Sequence, residues 1–309
     1  MRIVFFGTPD FAVPSLKALL DSGDDVVAVV TQPDKVKGRG RLLSQPPVKG
    51  LALSNGIPVL QPRNIRTGSF LEELSLLKPG AIAVVAYGKI VPPAVLKLPP
   101  LGCVNVHASL LPAYRGAAPI QWAIINGERR TGITTMLMDE GLDTGDILLQ
   151  NETEILDEDN GLTLGKRLSE VGASLLPGTL EGLKAGTVNP RPQTGEPSFA
   201  PPLKKDDGKI DWSLPARRIF DLIRGTYPWP GAYCYLKGSR LVILRAKALD
   251  HEKTGTPGRI EMIGSEGVLV STGRGILAIM EVKPEGRNSM SAESFMHGRR
   301  LKEGAFFDA

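Results

Sequence analysis

Cysteine and histidine are nearly absent from this sequence. Two cysteines, Cys103 and Cys234, stand too far apart in 309 residues to read as a disulfide framework, and no spacing resembles a zinc site. Three histidines, His107, His251 and His297, do not make a histidine-rich metal centre, so no metal is expected. Unpaired thiols fit a reducing, cytoplasmic setting. Long apolar runs are missing too. The N-terminal Met1-Arg2-Ile3-Val4-Phe5-Phe6-Gly7 is far shorter than a signal-peptide core. No stretch approaches the roughly 20 apolar residues of a membrane span, and no membrane partner is expected. The fingerprints of nucleotide sites are lacking as well. Gly7-Thr8-Pro9-Asp10 follows the first apolar run, where G-x-G-x-x-G would begin, but Pro9 occupies the position of its second glycine, which disfavours nicotinamide and flavin chemistry. No G-x-x-x-x-G-K-S/T precedes a helix pattern.

What is present is a globular composition, 42% hydrophobic and 23% charged, with enough length for two domains. In the first half, short Val- and Ile-rich runs at 2–6, 25–31, 57–60, 81–86 and 102–106 alternate with helical patterns near 11–22, 46–55 and 69–77. That alternation predicts an α/β, Rossmann-like domain with a mostly parallel sheet. A helix near 118–126, strands at 133–138 and 147–154, and a helix over 162–185 follow. Five prolines within residues 189–202 cannot continue a helix or central strand, so the chain is divided into a domain at 1–189, a Pro-rich linker at 190–205 and a second domain at 206–309. The last part holds a helix near 216–224, a strand led into by the run 227–235, short strands at 240–246, 258–263, 267–271 and 275–282 and a last helix near 291–300, the pattern of a small antiparallel, OB-like β-barrel. Charge is uneven: residues 1–200 carry a net −1 and residues 201–309 a net +5, a hint of a polyanionic partner.

The informative segment is Asn105-Val106-His107-Ala108-Ser109-Leu110-Leu111-Pro112. Strand side chains alternate, so Asn105 and His107 share one face while Val104 and Val106 turn into the fold. At a strand's carboxyl end, where ligands of parallel sheets bind, this places an amide donor beside an imidazole. Acyl transfer needs such a pair: a donor for the oxygen that becomes negative and a group that moves a proton. An isolated Asn-x-His more often satisfies local backbone groups. The alternatives are separated by the rest of the chain.

Phe5 to Phe11, Thr31-Gln32-Pro33-Asp34, Val84 to Gly88, Gly102 to Pro112, Arg115 to Gln121, Met138 to Asp146 and Ile210 to Ser213 together resemble the folate-dependent formyltransferases, in particular the branch that acts on initiator tRNA carrying methionine. The resemblance covers essentially the whole chain. It implies transfer of the formyl group of 10-formyltetrahydrofolate to the free α-amine of methionine on the initiator tRNA, by a protein acting as a monomer. It implies Asn105, His107 and Asp143 as catalytic residues and the turn Ser109, Leu110, Leu111 and Pro112 as part of the folate site. Asp139 and Asp146 are equally acidic, so residue type alone does not select Asp143. Donation from the Asn105 amide to the formyl oxygen, with Asp143 orienting the His107 ring, fits those roles.

Asp34-Lys35-Val36-Lys37-Gly38-Arg39-Gly40-Arg41 is strongly positive and glycine-rich, which by composition reads first as a solvated loop. In similar formyltransferases a segment here reaches the tRNA acceptor end, which makes Lys35, Lys37, Arg39 and Arg41 candidate tRNA-binding residues. Tyr227, Trp229, Tyr233 and Tyr235 are expected to be packing residues, as are Met136 and Met138. Two other readings stay open: a formyltransferase acting on a small amine such as glycinamide ribonucleotide or an amino sugar nucleotide, and a folate- or RNA-binding protein without catalysis.

Overall fold

The computed structural model describes residues 1–37, 42–249 and 255–308, and the chain divides into two units. The first comprises Met1–Pro119, Arg130–Glu154 and Gly165–Ala200; the second comprises Ile120–Arg129, Ile155–Leu164 and the chain from Pro201 onward. Up to residue 200 the chain forms β1 (Arg2–Gly7), α1 (Val13–Asp21), β2 (Asp25–Val30), β3 (Lys35–Lys37), β4 (Leu42–Ser44), α2 (Pro47–Ser54), β5 (Val59–Leu60), α3 (Gly68–Leu76) and β6 (Ala81–Val85). Then come α4 (Pro93–Leu96), β7 (Cys103–His107), β8 (Arg115–Gly116), α5 (Pro119–Ile125), β9 (Arg130–Leu137), β10 (Ile147–Glu154), α6 (Gly161–Ala185) and β11 (Phe199–Ala200).

Seven strands form the main sheet in the order β10-β9-β7-β6-β1-β2-β5. From β5 to β7 every pairing is parallel, and β9 and β10 add antiparallel neighbours at one side. Strands covered on both faces read as unbroken apolar runs, and all five residues of β6 are buried, as are five of six in β1. Each such Val, Ile or Phe contributes about 1.5–3 kcal/mol on burial. Helices start where proline is tolerated: α1, α2 and α4 each carry one in the first turn, and Thr67 caps α3 through the Phe70 N–H. Because β1 connects to β2 on one side and the chain returns to β6 on the other, the strand order reverses between β1 and β6, the position at which sheets of this kind bind ligands beyond their strands' carboxyl ends. His107 is the last residue of β7 on that edge.

The second unit contains α7 (Ala216–Gly225), β12 (Ala232–Leu236), β13 (Ser239–Leu249), β14 (Ile260–Gly264), β15 (Gly267–Ser271), β16 (Ile276–Pro284), β17 (Met290–Ser291) and α8 (Ala292–Gly298). Its sheet runs β12-β13-β16-β15-β14, antiparallel throughout, with β17 paired to β16. Its core gathers Trp212, Ile219, Ile243, Val268, Ile279 and Phe295. Trp212 stacks on Phe307 with ring centroids 5.0 Å apart.

The longer elements stand within two or three residues of the sequence reading. The pieces it lacks, β3, β4, α4, β8, β11 and β17, are two to four residues long, too short for a period to show. The Pro-rich stretch is tied to the first unit by main-chain bonds: Arg191 pairs with Ile147, and Phe199–Ala200 runs beside Arg115–Gly116. Tyr233 is buried as expected, whereas Trp229, between Pro228 and Pro230, is 55% exposed and is not a packing residue.

Candidate active site

The alternation read from the sequence is realised on β7. Val104 and Val106 are buried, and Val106 lies against Gly172 of α6, where there is no side chain to keep it away. Asn105 and His107 occupy the other face; Asn105 pairs with Val84 on one side and Met136 on the other, and His107 with Thr134. Met136 fills a small cluster with Leu111 and Ile147, as a core residue should.

Both ring nitrogens of His107 have partners from loops. Nε2 lies 2.9 Å from the Tyr114 carbonyl oxygen. A carbonyl only accepts, so Nε2 carries a proton and donates it there. Nδ1 lies 3.7 Å from Asp143 Oδ2, and the two side chains are 7% and 13% exposed, so little water screens the pair. The same carboxylate oxygen accepts the Gly116 N–H at 2.8 Å. Tyr114 and Asp143 both adopt left-handed backbone, with φ of 60° and 52°. Non-glycine residues held there cost about 1–3 kcal/mol each, a strain that collects at functional sites. Gly116 at φ 126° is required for a second reason, since a Cβ there would stand 2.6 Å from the Ala200 carbonyl oxygen.

Of the three aspartates in the 139–146 loop, only Asp143 faces the imidazole among the described contacts. Asp139 closes its own turn, accepting from the Gly141 N–H and the Thr144 hydroxyl. Asp146 enters the strand ladder through its carbonyl, which accepts the Leu137 N–H.

Asn105 differs from its neighbours. Its side-chain oxygen is buried and has no hydrogen-bond partner among the described residues. Leaving a buried polar atom unmatched costs about 1–3 kcal/mol, which an incoming ligand group recovers. A carboxamide also turns its NH2 into the same direction by a half rotation, so the position serves as donor or acceptor. Cys103, two residues earlier, is not a nucleophile: burial pushes its thiol up to about 12.

The turn Ser109 to Pro112 is built around Thr134. The Thr134 hydroxyl donates to the Ser109 carbonyl and accepts from the Leu111 N–H and the Gln150 amide. Ser109 and Leu111 are buried and the Ser109 hydroxyl donates to the Ala113 carbonyl, so Leu110 and Pro112, both half-buried, are the residues with surface to offer. A cleft of about 470 Å³, walled by Ile65, Leu71, Ile90, Val91 and Val95, reaches Glu140 of the loop that carries Asp143. A larger cavity of about 740 Å³ lies in the second unit, lined by acids including Asp157 and Glu281 and by cations including Arg245 and Lys247. Neither is lined by Asn105 or His107.

The basic segment forms a two-stranded ladder at its base, with Lys35 opposite Ser44 and Val36 opposite Leu43. Asp34 anchors it: Lys49 Nζ donates to both its oxygens at 2.8 and 2.9 Å, and Gln61 to one at 2.7 Å, which holds the carboxyl below its ordinary range. Lys35 is exposed and Lys37 ends β3; Arg39 and Arg41 lie outside the described residues.

Sequence reasoning missed the Tyr114 carbonyl, Thr134, Gln150 and Gln193. Backbone carbonyls carry no sequence signal, and Gln193 sits in the stretch that proline content marked as linker. Among the described residues no group of three or more His, Cys, Asp or Glu is placed to hold a metal ion. No helix among them is long and apolar enough to cross a membrane.

Residues 1–180 match the family model described as formyl transferase, and residues 202–300 that of the formyl transferase C-terminal domain. A methionyl-tRNA formyltransferase of Thermodesulfovibrio yellowstonii is 53% identical over 302 residues, 98% of this chain and 97% of that protein. One from Pelotomaculum thermopropionicum is 52% identical over 305 residues, with the same coverage of 98% and 97%. Among solved structures, the methionyl-tRNA formyltransferase from Clostridium thermocellum superposes with a TM-score of 0.56 at 19% identity, over 82% of this chain and 95% of that one, a likeness of fold.

Proposed function

The chain belongs to the formyl transferase family, and from that premise we propose that it moves the formyl group of 10-formyltetrahydrofolate onto the free α-amine of methionine carried on initiator tRNA, as a monomer in the cytoplasm. One observation carries the chemistry. On the same face of β7, an imidazole anchored at Nε2 and faced by a carboxylate at Nδ1 stands two residues from a carboxamide whose buried oxygen has no partner among the described residues. The choice of acceptor follows the relatives that match the chain over nearly its whole length.

The residues present suit the donor. 10-Formyltetrahydrofolate supplies its formyl group as an amide of an aryl nitrogen, which leaves more readily than an alkyl amine. Asn105 turns its NH2 toward the formyl oxygen and stabilises the negative charge that builds there as the amine attacks. His107 has its Nε2 proton committed to Tyr114 and works through Nδ1, which faces Asp143; the proton shed by the amine is held there and passes to the folate nitrogen as its bond to the formyl carbon breaks. Leu110 and Pro112 and the apolar cleft ending at Glu140 offer surface to the folate, and a cleft of about 470 Å³ is in the usual range for such ligands.

Lys35, Lys37, Arg39 and Arg41 are the cations that contact phosphates of the acceptor end, on a segment whose ladder of Lys35–Lys37 with Leu42–Ser44 follows the Asp34–Lys49 anchor. The residues from 206 onward, read as an OB-like domain, hold the tRNA by charge and shape, with 190–205 as the connection. The test is incubation with 10-formyltetrahydrofolate and either methionyl initiator tRNA or an amino sugar nucleotide, with detection of the N-formyl product. Formylmethionine released from the tRNA is expected; product from the small amine alone replaces the acceptor assignment, and no product from either leaves only binding. Arg39→Ala is expected to weaken use of the tRNA and lower its salt dependence while sparing folate binding.

A further inference from the structure

The segment between α6 and β11 is fixed at both ends. Arg191 exchanges two main-chain bonds with Ile147, the first residue of β10, and Ser198 meets the 114–115 turn, accepting the Tyr114 N–H on its hydroxyl and the Arg115 N–H on its carbonyl. Between these anchors the Gln193 amide uses all of its hydrogen-bonding capacity. Its oxygen accepts from Arg115 Nε at 3.1 Å and Nη2 at 2.6 Å, and its NH2 donates to the carbonyls of Asp143 at 2.8 Å and Gly145 at 2.7 Å. Turned the other way, the amide would set NH2 against a guanidinium and oxygen against two carbonyls, so one orientation is enforced.

The residues it grips are the ones that flank His107. Asp143, held by its own carbonyl, presents the carboxylate that faces Nδ1; Arg115 adjoins Tyr114, whose carbonyl takes the Nε2 proton. Asp143 and Tyr114 both sit in left-handed conformations that need outside support to persist. The Nδ1 to carboxylate separation of 3.7 Å lies just beyond hydrogen-bonding range, so a shift of the loop by a few tenths of an ångström decides whether that contact forms.

Resting on the formyl-transfer reading above, we infer that Gln193 is a positioning residue for the reaction: it couples the 113–118 and 139–146 loops and so sets the His107 ring between Tyr114 and Asp143. It touches no substrate and acts through Asp143. The chemical consequence is that removing the amide lowers turnover without changing affinity for either substrate.

The experiment compares the full-length parent, Gln193→Ala, Asp143→Asn and the double variant in formylation of methionyl-tRNA, with thermal unfolding of each to confirm folding. Gln193→Ala is expected to reduce kcat by about 10²-fold, the scale for misplacing a catalytic group, with KM for folate and tRNA unchanged. In the Asp143→Asn background the same change is expected to cost almost nothing further, because the two act as one unit. Additive losses in the cycle, or a loss expressed in KM alone, overturn the inference. Gln193→Glu keeps the Arg115 contacts but sets a carboxylate against two carbonyl oxygens, so it is expected to fold and to lose turnover like the alanine variant. Ring-nitrogen NMR of His107, assigned by its absence in His107→Asn, reads the geometry without turnover: its signals are expected to move in Gln193→Ala, and unchanged signals also overturn the inference. An inactive parent with a moving His107 signal would instead fault the formyl-transfer reading and leave the positioning role standing.

Discussion

Two buried polar clusters, one in each unit, are built from similar residues and finished differently. In the second unit Asp221, buried on α7, accepts from Arg217 Nε at 3.2 Å and Arg224 Nε at 2.9 Å, with Arg224 Nη2 a further 2.8 Å away. Arg224 Nη1 donates to the carbonyls of Leu156 and Asp159, and Arg217 grips Asp157 with two more bonds. Every charge there faces an opposite charge or a carbonyl at hydrogen-bonding distance. Around His107, among the described residues, the paired carboxylate stops at 3.7 Å, the strand neighbour Asn105 has an oxygen with no partner, and two loop residues sit in strained backbone. The first arrangement pairs its charges within the protein and holds its segments together; the second leaves a carboxylate short of its imidazole and a carboxamide oxygen open to a ligand. An unmatched buried atom alone does not separate them, since Arg224 Nη2 also lacks a hydrogen bond among the described residues; the unclosed His107–Asp143 pair and the strained loops do.

Breaking each cluster should therefore fail in a different measurement. The largest effect is expected for Asn105→Ala, which removes a donor to the oxyanion: turnover falls by about 10²- to 10³-fold with unfolding midpoint nearly unchanged, as steady-state kinetics and thermal unfolding will show. Near-normal turnover in a folded variant would remove Asn105 from the mechanism. Asp143→Asn is expected to lose turnover on a similar scale while its remaining oxygen still accepts the Gly116 N–H and keeps the loop in place. A collapse of folate or tRNA affinity instead would make the aspartate structural. Asp221→Asn sharpens the contrast from the other side. It leaves Arg224 buried beside an uncharged partner and is expected to cost about 3 kcal/mol of stability or more in denaturant titration, with turnover per folded molecule intact. The smallest effect belongs to the rim of that cluster. The Arg217 hydrogen bonds hold Asp157 below its ordinary carboxylate range, so the pair adds stability above that range and loses it as pH falls through the lowered value. Asp157 is 57% exposed, so Asp157→Asn is expected to cost less than about 1 kcal/mol near neutrality, and the difference from the parent should vanish in acid.

The same contrast explains which parts were legible beforehand. Strands β1, β2 and β6 announced themselves because a doubly covered parallel strand must be apolar almost throughout, and β10 was read to its exact ends as Ile147–Glu154. The basic segment was read as a loop, and its ladder escaped notice because three residues on each side are below the length at which alternation registers. Trp229 was misjudged because residue type favours burial while its place between two prolines in a turn leaves the ring in solvent. Gln193 was invisible, since a glutamine among prolines has no pattern at all.

What the sequence by itself determined was local. The two-residue period of a strand put Asn105 and His107 on one face and the valines on the other, because that periodicity is a property of the backbone and needs no partner. Which of three aspartates meets the imidazole, which carbonyl takes its proton and which amide ties the loops was decided only by the tertiary structure. The Gln193 contacts alone join residues 50 and 78 positions apart, and no spacing rule reaches across loops whose ends are brought together by the packing of everything between them.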